Sequence, residues 1–206
     1  DYYVYPKYYR LFASNKTLLD ASKLILEDVA EPACYEYMFE GCSNLTFPPQ
    51  LPALYIPSSA YYYMFSGCTS LTNVIDSINA TIINATGCQS MFANCTSLQT
   101  PPKLPALTIS GGFACWAMFE NCTSLNKIPE LPATSITGTA NYNNMFKGCT
   151  LIKMSATQTA EYPNEYTFGA FMTTNLQTNG MFDNTGGTLF TPYDVQTIYT
   201  ANEIVR

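Results

Sequence analysis

Tyr63-Met64-Phe65-Ser66-Gly67-Cys68 is one of five near-copies in this chain. The others are Tyr37-Met38-Phe39-Glu40-Gly41-Cys42, Ser90-Met91-Phe92-Ala93-Asn94-Cys95, Ala117-Met118-Phe119-Glu120-Asn121-Cys122 and Asn144-Met145-Phe146-Lys147-Gly148-Cys149. Their methionines stand at 38, 64, 91, 118 and 145, a period of 26 or 27 residues. A unit repeated at that period cannot close a core alone, so its copies must stack into a solenoid.

Aligning the copies on Met, with Leu11 as the variant of an earlier first copy, separates core from surface. Seven residues on stand Leu18, Leu45, Leu71, Leu98, Leu125 and Ile152. Ten on come Ala21, Pro48, Val74, Pro101, Ile128 and Ser155; thirteen on, Leu24, Leu51, Ser77, Leu104 and Leu131; eighteen on, Val29, Ile56, Ile82, Ile109 and Ile136. Aliphatic residues in register are what one coil buries against the next. About six coils follow.

Three residues after Met stands Ser14, Gly41, Gly67, Asn94, Asn121 or Gly148. Gly and Asn enter the left-handed region most cheaply, so the refrain predicts a short helical or 3-10 turn ending there. Beyond it, Leu45-Thr46-Phe47, Leu98-Gln99-Thr100 and Leu125-Asn126-Lys127 read as one short strand per coil, kept short by the prolines that follow. A second extended piece is expected at the Ile column. Stacked coils place equivalent strands about 4.8 Å apart in a parallel sheet.

The residues Met64-Phe65-Ser66-Gly67-Cys68-Thr69-Ser70-Leu71-Thr72 and the Leu-Pro-Ala segments ending at Ala53, Ala106 and Ala133 resemble the BspA-like leucine-rich repeats of bacterial surface proteins. The resemblance runs from about residue 11 to 152. It implies an α/β solenoid, a right-handed leucine-rich-repeat array, and an adhesion-type role at the cell surface. Two coils depart from the pattern: Val74-Ile75-Asp76-Ser77-Ile78 lacks the prolines, and the first coil has Ser14 and Asn15 where Gly and Cys belong. Beyond Ser155 the columns dissolve, with Phe182 among scattered aromatic anchors. Residues 1–10 therefore read as an N-terminal cover, 11–154 as the solenoid and 155–206 as a divergent C-terminal cap.

Composition narrows the function classes. Charged residues make up 12% of the 206, and the net charge is -6 with nine Lys+Arg, which argues against a nucleic-acid partner. No apolar run reaches the roughly 18 residues of a membrane span, so direct membrane insertion is not expected of this segment. The chain begins at Asp1 and reads as a processed product or excerpt. Export follows from the Tyr/Thr/Asn-rich composition and from the resemblance.

Candidate chemistry gives way to structural readings. Five of the eight cysteines share one column, there is no Cys-x-x-Cys pair and no histidine, so no metal or other cofactor is expected. Column cysteines lie near enough for bridging on distance, yet parallel side chains favour buried thiols. Six Asn-x-Thr sequences, at Asn15, Asn44, Asn79, Asn84, Asn94 and Asn121, would be glycan acceptors in a eukaryotic secreted protein. Asn94 and Asn121 already have a reason in the left-handed turn. No nucleophile has a histidine base, and no Gly-x-Ser-x-Gly elbow or phosphate loop is present, so no catalytic residue is expected.

What remains is a surface for a protein or glycan partner. Residues eight and nine beyond Met should alternate out of the core on a concave strand face: Thr46, Phe47, Thr72, Asn73, Gln99, Thr100, Asn126 and Lys127, with Asp76, Lys103 and Glu130 further along. Tyr61, Tyr62, Tyr63 and Trp116 form a second candidate on the helical side, since such rings join apolar area to a polar tip. The alternative is structural. The array would then be a subunit of an extracellular or phage virion appendage, touching neighbouring domains or copies of itself.

Overall fold

A computed structural model of the chain describes residues 6–28, 31–72, 77–155, 164–165 and 178–186. Successive coils stack in chain order, each with a ribbon of turns on the Met-Phe refrain and a stretch after the Cys column, and the second to fifth carry a short strand at the Ile column. The strands β1 (Tyr55–Ile56), β2 (Ile82–Ile83), β3 (Thr108–Ile109) and β4 (Ser135–Ile136) make one parallel sheet in that order. A separate parallel pair joins β5 (Met154–Ser155) to β6 (Asn164–Glu165). The spacing of the four-stranded sheet is the repeat period itself.

The sheet forms at the Ile column. At the stretch after the Leu column, where one strand per coil was expected, the described residues show isolated bridges, Asp20 with Phe47 and Ser77 with Lys103, and a strand in the sixth coil, where β5 follows Ile152. Prolines decide the outcome. Pro48, Pro49, Pro101, Pro102 and Pro129 have no N–H to give a neighbouring coil, whereas the two-residue strands have theirs.

The refrain is not a continuous helical or 3-10 turn. In the second coil Glu36, Met38, Glu40 and Cys42 donate to carbonyls three residues back, on Ala33, Tyr35, Tyr37 and Phe39. The alternate residues Ala33, Tyr35, Tyr37, Phe39 and Gly41 donate instead to Ser58, Ala60, Tyr62, Met64 and Ser66 of the next coil. Half of the donors fold the ribbon and half bind it to its neighbour. From Tyr35 to Cys42 every backbone N–H thereby finds a partner, which is the condition for burying it.

That alternation requires a left-handed residue at every fourth place. The expected column has it, from Ser14 (φ 60°) through Gly67 (φ 74°) and Asn94 (φ 61°) to Gly148 (φ 75°). So do two earlier columns that sequence reasoning missed: Tyr37 (56°), Tyr63 (52°) and Ser90 (51°) in one, Ala33 (59°), Thr86 (55°) and Phe113 (61°) in the other. Side chains at positive φ cost energy, and the inter-coil bonds are what hold them there.

The core is a set of columns. Phe12, Phe39, Phe65, Phe92, Phe119, Phe146 and Phe182 stack in one continuous file, with centroids 5.3 to 5.6 Å apart. Such offset pairs are worth about 0.5–1.5 kcal/mol each beyond the area they bury. Met38, Met64, Met91, Met118, Met145 and Met181 are buried beside them, as are Leu45, Leu71, Leu98, Leu125 and Ile152. In the third coil the columns shift by one: Ile83 and Ile78 are buried, while Ile82 is exposed and Ser77 half-buried. An added residue before β2 moves the coil's inward set. The fourth and fifth coils take up theirs after the strand, at the left-handed Gly111 and Gly138.

Phe182 changes the reading of the chain's end. Gly180-Met181-Phe182-Asp183-Asn184 is a further copy of the refrain, and Asn144, Phe146 and Gly148 donate to Asn179, Met181 and Asp183 as in every earlier step. Gly186 then bonds to the Ile152 carbonyl. The segment expected as a cap thus contains a seventh turn of the array. The rest of it lies outside the described residues apart from β6, as do 1–5 of the N-terminal cover, Val29 and Val74.

Candidate functional site

Cysteine chemistry is absorbed by the core. All eight cysteines are free and buried. In the main column each Sγ donates to the phenylalanine carbonyl of the preceding coil: Cys42 to Phe12, Cys68 to Phe39, Cys95 to Phe65, Cys122 to Phe92 and Cys149 to Phe119, at 3.0 to 3.2 Å. Cys88 and Cys115 stand where other coils place Tyr35, Tyr61 and Tyr142, three residues before Met. Burial pushes the Cys115 and Cys149 thiols up to about 12, which leaves almost no thiolate at neutral pH. Among the described residues no group of three or more acidic or cysteine side chains could hold a metal ion, and no helix is long and apolar enough to cross a membrane.

The polar candidates divide by coil. Thr100, Lys103, Lys127 and Glu130 come together in one groove of about 490 Å³ between the fourth and fifth coils. Gln99 and Asn126 are exposed at the start of the same two stretches, linked by the Asn126 N–H to the Gln99 carbonyl at 3.2 Å. Thr46 and Phe47 lie two coils away, both donating through their backbone to Leu19, with Phe47 47% exposed. Thr72 is exposed in the intervening coil and takes no part in the groove. Asn73 and Asp76 lie outside the described residues.

None of these side chains sits on the strand row. The outward positions of the sheet are Tyr55, Ile82, Thr108 and Ser135, which precede the buried Ile56, Ile83 and Ile109 and the half-buried Ile136. With Leu54 at 61% and Leu107 at 50% exposure, Tyr55 and Ile82 make an apolar strip. The sequence signal for it was the one-residue alternation around each buried isoleucine.

Prolines shape the groove. Five of its eleven lining residues are proline, so the facing stretches have few N–H groups with which to form a ladder. Pro102 and Pro129 are buried, while Lys103, Lys127 and Glu130 are exposed. The ion pairs among the described residues lie elsewhere, joining Lys7 to Glu27, Arg10 to Glu40 and Lys147 to Glu120. The two lysines of the groove are exposed and form no ion pair among the described residues.

The aromatic candidates do not form one site. Tyr61 is fully buried and packs on Tyr35 at 5.9 Å, so it is core and cannot meet a ligand. Tyr62 and Tyr63 are half-buried and group with Tyr37, whose ring lies 5.3 and 5.4 Å from theirs. Tyr9 and the Arg10 guanidinium complete that cluster at 6.0 and 5.3 Å from Tyr37. Burial and hydrogen bonding between Tyr37 and Tyr62 raise the Tyr37 hydroxyl, and burial raises the Glu36 carboxyl beside them. Trp116 is two coils on, where Gln89 and Ser90 of the coil between bring no ring to connect it. Compared with protein-family models, curated proteins and solved structures, the chain matches none of them.

Proposed function

We propose that this chain is a non-enzymatic module of the BspA-like leucine-rich-repeat kind, a right-handed array displayed outside a bacterial cell that binds a protein or glycan partner. The observation that carries the reading is the open groove holding Thr100, Lys103, Lys127 and Glu130, four polar side chains from two coils on one accessible surface. A stacked array gains such surfaces cheaply, because its core columns repeat while the residues between them vary. Binding moves here from the expected strand face to the proline-bearing face. Tyr62, Tyr63 and Trp116 stand as secondary contacts on the ribbon.

The test is a binding screen of the immobilised chain against extracellular-matrix proteins and a glycan array, repeated with Lys127→Glu and with Tyr63→Ala. Loss of the captured partner on Lys127→Glu alone is the expected result. Capture that ignores Lys127→Glu and vanishes with Tyr63→Ala moves the site to the ribbon. No capture by any form overturns the binding reading.

A second reading, a subunit of an extracellular or virion assembly, is favoured by the strip of Leu54, Tyr55, Ile82 and Leu107 on the sheet's outer face. Sedimentation equilibrium separates the two. A monomer at all concentrations removes self-assembly, whereas dimers abolished by Leu107→Asp would establish it.

A further inference from the structure

We propose that the groove between the fourth and fifth coils takes an extended acidic peptide segment as its partner. The inference rests on the reading of this face as a binding surface and goes further by naming the ligand. Its walls are rich in proline, which supplies carbonyl acceptors and no N–H donors. An extended peptide brings the complementary groups, a row of N–H donors along its backbone.

Charge and shape narrow the ligand. Lys103 and Lys127 are exposed and without an ion pair among the described residues, in a chain whose net charge is -6, so this groove is a local exception in an acidic molecule. Carboxylates on the bound segment would meet these two ammonium groups. Glu130, the one acid in the lining, would repel a carboxylate set against it. No aromatic ring lines the groove, so a sugar would find no stacking platform here, while the rings of Leu104's proline neighbours suit the apolar side chains that alternate along a strand.

Fluorescence anisotropy of the full chain tests this, with a labelled alternating glutamate–valine octapeptide, its lysine–valine counterpart and an octameric oligogalacturonate as probes. The glutamate peptide should bind, more weakly as salt rises, and the double variant Lys103→Glu, Lys127→Glu should lose about tenfold or more in affinity. The exposed Lys23→Glu, equal in charge change per site, should cost less than about twofold. Thermal melts of the variants check that each remains folded. Equal binding of the glutamate peptide by wild type and double variant would place its site elsewhere and overturn the inference. Lysine-dependent binding of oligogalacturonate without peptide binding also overturns it, yet leaves partner binding at this face intact. If none of the probes binds and the surface screen also captures nothing, both readings fall together.

Discussion

The Sγ of Cys95 donates to the carbonyl oxygen of Phe65, one coil away, at 3.2 Å. The same oxygen accepts the N–H of Cys68 within its own coil at 3.1 Å, so both lone pairs are used. Each column cysteine thus ties its coil to the turn before it while filling a slot with no exposed surface. Replacing Cys95 by Ala removes the thiol from a packed site and leaves a void. The expected cost is about 1–2 kcal/mol, read by urea denaturation, and a neutral result would mean that the thiol neither packs nor bonds as placed.

Thiol reactivity and alkaline stability follow from the same burial. Cys115 and Cys149 are raised to about 12, so the folded chain should resist a thiol-reactive dye at pH 8 and react fully only in denaturant. Above about pH 8.5, their ordinary value, the unfolded thiols release protons that the folded ones retain. Stability is therefore whole below that pH and declines as pH rises toward 12, by about 1.4 kcal/mol per pH unit for each such thiol. Denaturation curves between pH 7 and 11 measure the slope. A flat profile would contradict the burial.

Phe92 lies mid-file, 5.5 Å from Phe65 and 5.6 Å from Phe119. Phe92→Ala should destabilise by about 3–5 kcal/mol. Phe92→Leu keeps most of the volume and loses the two ring contacts, so about 1–2 kcal/mol is expected from equilibrium unfolding. Equal losses for the two would assign the file's contribution to the ring contacts, and no loss for Phe92→Leu would assign it to volume alone.

Gly67 has φ 74°, and a Cβ built there meets the Gly41 Cα at 3.6 Å, an ordinary contact. Strain can therefore be measured without a clash. Gly67→Ala should cost about 1–2 kcal/mol, and Gly67→Asn markedly less, since Asn94 and Asn121 occupy the same column at φ 61° and 60°. Gln99→Ala, at an exposed position, should stay within about 0.5 kcal/mol and serves as the control in thermal melts.

Phe182 ends the file against Phe146 at 5.4 Å and is 4% exposed. As part of a seventh turn its loss should propagate to the sixth coil. Phe182→Ala is expected to lower stability by about 2–4 kcal/mol and to increase hydrogen exchange at the amides of Asn144, Phe146 and Gly148, which bond to that turn. Unchanged exchange there would detach the seventh copy from the array.

Much of this was open to inspection in the chain itself. The period, the Met, Phe and Leu columns, and the left-handed place held by Gly41, Gly67, Asn94 and Gly148 all follow from residue type and spacing. The seventh copy was also visible as Met181-Phe182-Asp183-Asn184, but its methionine falls 36 residues after Met145, off the period by which the others were found. Ile82 seemed to continue its column because a fixed count from Met cannot see an added residue. Pairing shows it: Ile56 lies opposite Ile83.

Sequence alone determined that the chain stacks, and which side chains are buried by stacking, because the hydrophobic requirement repeats with the chain and needs no partner to be named. Tertiary structure decided which backbone stretch carries the ladder and which surface stays open. Two segments per coil had the character of strands, and hydrogen bonding between coils chose the Ile column, where neighbouring donors and acceptors meet. Inter-coil bonds likewise hold Tyr37, Tyr63 and Ser90 at positive φ, against their own preference. The same proline residues that cut short a ladder after Leu98 and Leu125 line the groove of Lys103 and Lys127.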